Sequence, residues 1–229
     1  MSRVVLALEG VRRTYGMGAA AVNALDGVDL AITQGEFVAF MGPSGSGKST
    51  CLNVLGCLDS PTAGTYRFVD TLVNGLDAFQ RALLRRHWLG FVFQSYNLLP
   101  RTSALENVEM PLVYRGISAA ERHRRAHQAL IDVGLGGWET HMPNQLSGGQ
   151  QQRVAMARAI VSEPAVILAD EPTGNLDTAK SHEIMKLLAA LNRDRNITIV
   201  MVTHEPDMAA YAHRTVRFRD GRIEPQEQP

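Results

Sequence analysis

The residues best suited to chemistry lie in the run Gly42-Pro43-Ser44-Gly45-Ser46-Gly47-Lys48-Ser49. It fits the phosphate-loop pattern GxxxxGKS/T at every fixed position. Glycines at this spacing let the backbone turn tightly and aim successive N–H groups inward. The N-terminus of a following helix completes the anion nest. Lys48 would put a positive charge on the β- and γ-phosphates of a nucleotide, and the Ser49 hydroxyl can ligate magnesium. Thr50 would add a further phosphate contact. The plain alternative is a glycine-rich turn with a chance lysine. The flanks weigh against it, because a strand-like run precedes the loop and a helix-like run follows. The ligand implied is ATP with magnesium.

A second chemical feature lies far downstream. The apolar run Val166–Ala169 ends at Asp170-Glu171. A buried strand here would deliver Asp170 to the metal side of the site. Glu171, one residue on, can face and polarise the attacking water. The plain reading is a solvated acidic turn, and hhhhDE alone is weak. Its distance downstream of a phosphate loop strengthens it. A glycosidase pair is rejected, since adjacent carboxylates cannot flank a glycosidic bond.

The third feature is Leu146-Ser147-Gly148-Gly149-Gln150. A serine and two glycines open a helix whose first N–H groups have no internal partner. That makes a second anion-binding surface. One nucleotide does not need two such surfaces from one chain. Two chains placed head to tail would each use both.

Residues 146–150 resemble the signature motif of ABC ATPases, and the family's other motifs follow in order. Tyr15 resembles the aromatic A-loop residue that stacks on adenine. Gln94, after the LGFVF run, resembles the Q-loop glutamine that senses magnesium and the transport partner. Asn175-Leu176-Asp177 is similar to the D-loop, which crosses the dimer interface. His204, after ITIVMV, resembles the switch histidine that contacts the γ-phosphate. The resemblance runs from about Val4 to Ile223. It implies a site made of Tyr15, Gly42–Thr50, Gln94, Ser147, Gly148, Gly149, Gln150 and Asp177. Glu171, His204 and Lys48 would be catalytic. Ser49, Gln94 and Asp170 would hold the metal.

The segments STCLNVLGCLDSPTAGTY, GFVFQSYNLLPRTSALENVEMPL, PNQLSGGQQQRVAMARA and ILADEPTGNLD narrow the resemblance. They are similar to the subfamily of the macrolide exporter MacB, the lipoprotein-release ATPase LolD and the cell-division ATPase FtsE. The implied partners are a second copy, a permease of FtsX/MacB type and a periplasmic adaptor. The implied place is the cytoplasmic face of the inner membrane. The implied work is export or extraction, or FtsE-like activation of an envelope enzyme. A soluble DNA-repair or translation member would bring long coiled coils or two cassettes. Two positions depart from the pattern: Cys51 replaces a common leucine, and Asp70 replaces a common turn glycine.

Some of these residues also have plainer readings. Tyr15 would serve as a surface aromatic, and glutamines such as Gln94 often end strands. His204 is one of seven histidines, and HEPD lacks the second histidine of a zinc HExxH site. Arg115, Arg122, Arg124 and Arg125 read as a solvated helix face, with anionic headgroup contact as the lesser alternative.

These residues need elements to hold them. The chain has 229 residues, 45% of them hydrophobic, enough for the core of a single α/β domain. Acidic and basic residues balance at 23 each, which argues against a nucleic-acid partner. Strands are expected at Val4–Glu9, Ala24–Ile32, Glu36–Met41, Leu89–Phe93, Ala165–Ala169 and Ile197–Val202, with a strand pair or β-arm over Thr65–Val73. Helices are expected at Thr50–Leu58, Ser118–Val133, Gly148–Val161 and Ala179–Arg193. The second should open on a capping box of Ser118 and Glu121. Strand character vanishes between about Ser95 and Ser162. The expected fold is therefore α/β: a P-loop core with a mainly parallel sheet, an antiparallel β subdomain and a helical subdomain. Residues of about 1–94 and 163–229 form the core and about 95–162 the helical part of one domain. Cys51 and Cys57 read as buried, reduced thiols, and Glu224–Pro229 as a frayed tail. The apolar N-terminal stretch is too short for a signal peptide, and no apolar run nears the roughly 18 residues of a membrane span. Any spanning helices would come from another polypeptide.

Overall fold

The computed structural model describes residues 3–225. In chain order the strands and helices are β1 (Val4–Tyr15), β2 (Val22–Thr33), β3 (Phe37–Met41), α1 (Lys48–Leu55), β4 (Ala63–Phe68), β5 (Thr71–Leu72), α2 (Ala78–Trp88), β6 (Leu89–Phe93) and α3 (Ala104–Tyr114). They continue with α4 (Ala119–Asp132), α5 (Gly148–Ile160), β7 (Val166–Asp170), α6 (Thr178–Arg195), β8 (Thr198–Val202), α7 (Pro206–Ala209), β9 (Arg214–Arg219) and β10 (Arg222–Ile223).

Two sheets form. The larger has the order β10-β9-β3-β8-β7-β6 and is parallel except at the β9–β10 hairpin. The smaller is antiparallel, in the order β2-β1-β4-β5. The short apolar runs become parallel strands because both of their faces are covered. Side chains alternate between two cores, as a pleated strand requires. Phe37, Ala39, Ile167, Ala169, Ile199 and Met201 face one core, with α3 to α6. Val38, Phe40, Val166, Leu168, Val200 and Val202 face the other, with α1 and the antiparallel sheet. The described elements between Ser95 and Ser162 are helical, chiefly α3, α4 and α5.

The parallel register sets up the site. Phe93 pairs with Asp170, Asp170 with Val202, and Phe40 with Val202. The C-terminal ends of β3, β6, β7 and β8 therefore share one edge, where open α/β sheets bind ligands.

Several expectations need correction. β1 runs to Tyr15, six residues beyond Glu9, because it is paired on both edges, by β2 and by β4. α2 and β9 add to the expected elements: α2 opens on an Asp77/Gln80 capping box, and β9 alternates so that Val216 and Phe218 are buried. Ser118 makes no capping hydrogen bond. Glu121 is taken instead by Arg124 and Arg125, whose hydrogen bonds hold its carboxyl down to about 2. Capping boxes form at Asp77/Gln80 and Ser103/Glu106. The arginine face carries its own counter-charges: Arg122 pairs with Glu109, and Arg115 donates to the carbonyls of Arg86 and His87. Glu224 is tied down, donating to the Arg217 carbonyl and pairing with Arg219. The rest of the expected frayed tail, 226–229, lies outside the described residues.

The two departures are accommodated. Cys51 and Cys57 are free and buried. Burial pushes both thiols up, Cys57 to about 11. Asp70 closes a two-residue turn between β4 and β5, in which Val69 adopts the left-handed conformation at φ 53°. The Asp70 carboxylate pairs with Arg3.

Candidate functional site

The phosphate loop leaves β3 and enters α1 with two conformations that only glycine tolerates. Gly42 has φ 147°, and a Cβ there would fall 2.2 Å from the Phe218 carbonyl oxygen. Gly47, the N-cap of α1, has φ 103°, and its Cβ would meet the Ala24 carbonyl oxygen at 2.5 Å. These contacts fix the loop against β2 and β9. The loop walls a cavity of about 420 Å³, lined by Ala24, Gly42, Ser44–Thr50, Glu171 and His204.

Lys48 is nearly buried at 8% exposure, and its ammonium donates to the carbonyl oxygens of Gly42 and Pro43, each at 2.8 Å. These bonds hold the charge under the loop. Ser49 Oγ donates to Asp170 Oδ1 at 3.3 Å. Burial raises the Asp170 carboxyl above its usual value, and neighbouring Glu171 adds to this. Ser49 and Lys48 pull the other way. A dication beside Asp170 would favour its ionised form.

Glu171 follows directly in the left-handed region, at φ 45°. Its N–H donates to the Val202 carbonyl at 3.0 Å, which anchors the turn to β8. Its Oε1 lies 3.2 Å from Nδ1 of His204, a side chain 61% exposed. The cavity thus joins an anion nest, a buried cation, the Ser49 hydroxyl backed by Asp170, and a carboxylate–imidazole pair.

Not every expected site residue meets there. Tyr15 does not line this cavity. Its hydroxyl donates to Asp59, and the Arg13 guanidinium lies 4.4 Å from its ring centre. Burial opposes ionisation of Asp59, yet Tyr15, the Ser60 N–H and Arg13 more than offset it and hold the carboxyl below its usual value. Gln94 is also turned away, with Nε2 3.5 Å from Asn175 Oδ1 and its carbonyl accepting from Asn175 Nδ2 at 2.9 Å. Asp177 is the N-cap of α6, accepting from the Lys180 N–H and pairing with its ammonium. Ser147 caps α5 and shares a capping box with Gln150. The first turn of α5, with Gly148 and Gly149, packs on Tyr96, Leu176 and Lys180 and does not line the cavity. Sequence reasoning missed Ala24 and Asp59. Ala24 contributes through its backbone and carries no chemical signature. Asp59 becomes informative only when β1 pairs with β4 and brings Tyr15 beside it.

The donors fit magnesium. Ser49 and Asp170 offer hard oxygen ligands, and magnesium keeps waters and phosphate oxygens around few protein ligands. No cluster of three or more His, Cys, Asp or Glu able to hold a metal occurs among the described residues.

The fold and cavity define a P-loop nucleotide-binding protein with a separate helical signature turn. The family model described as ABC transporter matches residues 25–174. The chain is 52% identical over 221 residues to the uncharacterized ABC transporter ATP-binding protein YknY of Bacillus subtilis, covering 96% of each. It is 53% identical over 221 residues to the macrolide export ATP-binding/permease protein MacB of Marinobacter nauticus, covering 96% of this chain and 34% of that protein. The chain spans about a third of the length of the MacB relatives it matches. A solved dimeric, post-hydrolysis structure of the ATP-binding cassette MJ0796, bound to ADP and Pi, matches with TM-score 0.89 and 46% identity. That match covers 97% of this chain and 98% of that one. The chain belongs to the ABC transporter ATP-binding family. It is an ABC-type ATPase with the ABC ATPase fold. No helix among the described residues is long and apolar enough to cross a membrane.

Proposed function

We propose that this chain hydrolyses ATP as one half of a head-to-tail dimer and drives an FtsX/MacB-type permease in export or extraction across the cell envelope. The observation that carries this reading is the cavity in which Lys48, Ser49, Glu171 and His204 meet without Ser147–Gln150. In the proposed dimer each ATP lies between Gly42–Thr50 of one copy and the α5 N-terminus of the other. The loop N–H groups and Lys48 bind the phosphates. Glu171 accepts a proton from the attacking water, and His204 orients Glu171 and the γ-phosphate. Ser49 and Asp170 would hold magnesium, which when bound neutralises charge on the β- and γ-phosphate oxygens. Tyr15 would meet the adenine edge-on or stacked once its contact with Asp59 loosens. Loss of the γ-phosphate removes the bridge between copies, and the dimer opens.

Within this reading, residues of about 1–94 and 163–229 act as the nucleotide-binding core and about 95–162 as the helical subdomain. Gln94 and Asp177 act at the junctions with magnesium, the permease and the second copy. The protein would sit on the cytoplasmic face of the inner membrane, bound to its permease and through it to a periplasmic adaptor. The second reading is FtsE-like activation of an envelope enzyme, which shares all these motifs. Co-purification with a permease and an identified periplasmic partner separates the two.

The dimer makes a direct prediction. Hydrolysis per chain is expected to rise with protein concentration until dimers saturate, in a steady-state phosphate-release assay with excess ATP and magnesium. A rate per chain that is constant across a hundredfold dilution would refute the two-half-site reading.

A further inference from the structure

The loop that follows Glu171 is held by three tethers. Asn175 donates to the Gln94 carbonyl at the end of β6. Thr173, buried at 2% exposure, donates to Glu205 beyond the end of β8 at 3.4 Å. The third tether comes from α5: Gln152 Nε2 donates to the Pro172 carbonyl at 2.6 Å. Gln152 is fully buried, and its Oε1 has no hydrogen-bond partner. An unpartnered buried amide oxygen is costly, and apolar packing would fill the same space without that cost. The side chain is therefore poorly explained by stability alone.

Its place in the helix supplies a reason. Residues three and four apart share one face of a helix. Gln152 lies on the face of Gly148 and Gly149, in the turn that carries the free N–H groups of α5. A Cβ on Gly148 would meet Tyr96 Oη at 2.8 Å and Leu176 Cδ2 at 3.4 Å, so this turn rests directly on the same loop. Pro172 is the next residue after Glu171, whose own backbone is held in the left-handed region. A small rotation of α5 would pull on the Pro172–Thr173 peptide, one residue beyond Glu171.

We infer that Gln152 is a positioning residue that couples the two ATP sites of the dimer. It passes the engagement of its own chain's signature turn with the partner's ATP to its own chain's Glu171. This rests on the two-chain reading above. Two sites joined by a shared rigid element gain cooperativity when each binding event biases the other's geometry.

Mixed dimers with a single hydrolysing site test it. One chain carries Glu171→Gln and the other keeps Glu171. Gln152→Met keeps the volume, deletes the orphan acceptor and breaks the tether. Placed in the chain with intact Glu171, it is expected to lower kcat about tenfold, with the KM for ATP unchanged, since a misplacement of about 1 Å has effects of this size or larger. Placed in the Glu171→Gln chain, whose signature turn serves the hydrolysing site, it is expected to leave kcat unchanged. Equal slowing in both placements, or slowing only in the second, would overturn the inference. The same substitution is read in both placements, so a loss of stability common to both does not mimic the result. Failure of the parent chains to form ATP-dependent dimers would overturn the two-chain reading and this inference together.

Discussion

Glu171→Gln is expected to slow ATP hydrolysis by about 10² to 10⁴-fold, the usual contribution of a positioned general base. ATP binding should be retained. The substitution keeps the shape and leaves the phosphate loop untouched. The Glu171 N–H bond to Val202 is a backbone bond and survives, so the turn keeps its course. The amide can still meet Nδ1 of His204, but it cannot accept the water's proton. With the γ-phosphate uncleaved, the bridge between copies persists, and an ATP-bound dimer should accumulate in gel filtration or analytical ultracentrifugation. Hydrolysis at the wild-type rate would show that another group activates the water.

The second large effect concerns complementation between two inactive variants. Lys48→Ala removes the buried ammonium that now bridges the Gly42 and Pro43 carbonyls. Hydrogen bonds to charged groups are worth about 1.5–3 kcal/mol, so ATP affinity should fall roughly 10- to 150-fold. Gly148→Asp places a carboxylate at the α5 N-terminus and forces its Cβ against Tyr96 Oη. That variant should bind ATP but not form a productive dimer with itself. Mixed in equal amounts, about half of the dimers contain one chain of each kind. Each mixed dimer has one intact site, built from Lys48 of the Gly148→Asp chain and the signature turn of the Lys48→Ala chain. Activity should recover to at most about a quarter of the wild-type rate, half of the dimers times half of the sites. A mixture no more active than its components would refute the shared site.

The magnitudes rank the site's parts. In the proposed mechanism Lys48 and Glu171 act by charge and proton transfer inside a walled cavity, where one group decides orders of magnitude. Tyr15 is exposed and shares its ring with Arg13 and its hydroxyl with Asp59. An aromatic contact of that kind is worth about 0.5–1.5 kcal/mol, so its loss should weaken binding only several-fold.

The phosphate loop was fully legible from the chain because its chemistry is local. Eight consecutive residues specify the turn, the nest and the lysine, and no distant contact is needed to read them. The buried strands were legible for a similar reason, since short apolar runs between polar segments specify them by composition alone. Other parts depended on distant partners. Ser118 and Glu121 have the spacing of a capping box, but two arginines one turn away compete better for the glutamate. Gln94 has the motif context of a metal-side residue, yet its amide faces Asn175, 81 positions away. Gln152 was part of a recognised motif, but its tether to Pro172 exists only once α5 lies on the loop after β7.

By itself the sequence determined which residues could carry phosphate chemistry, which family they resemble and that strands and helices alternate around a helical stretch. Local spacing and hydrophobic periodicity specify those things. The tertiary structure alone decided that β3, β6, β7 and β8 end on one edge, which places Lys48, Ser49, Glu171 and His204 within one cavity and Asp170 against Ser49. It also decided that the α5 turn does not line that cavity. Strand order and helix packing arise from contacts across the whole chain, and no short stretch of sequence encodes them.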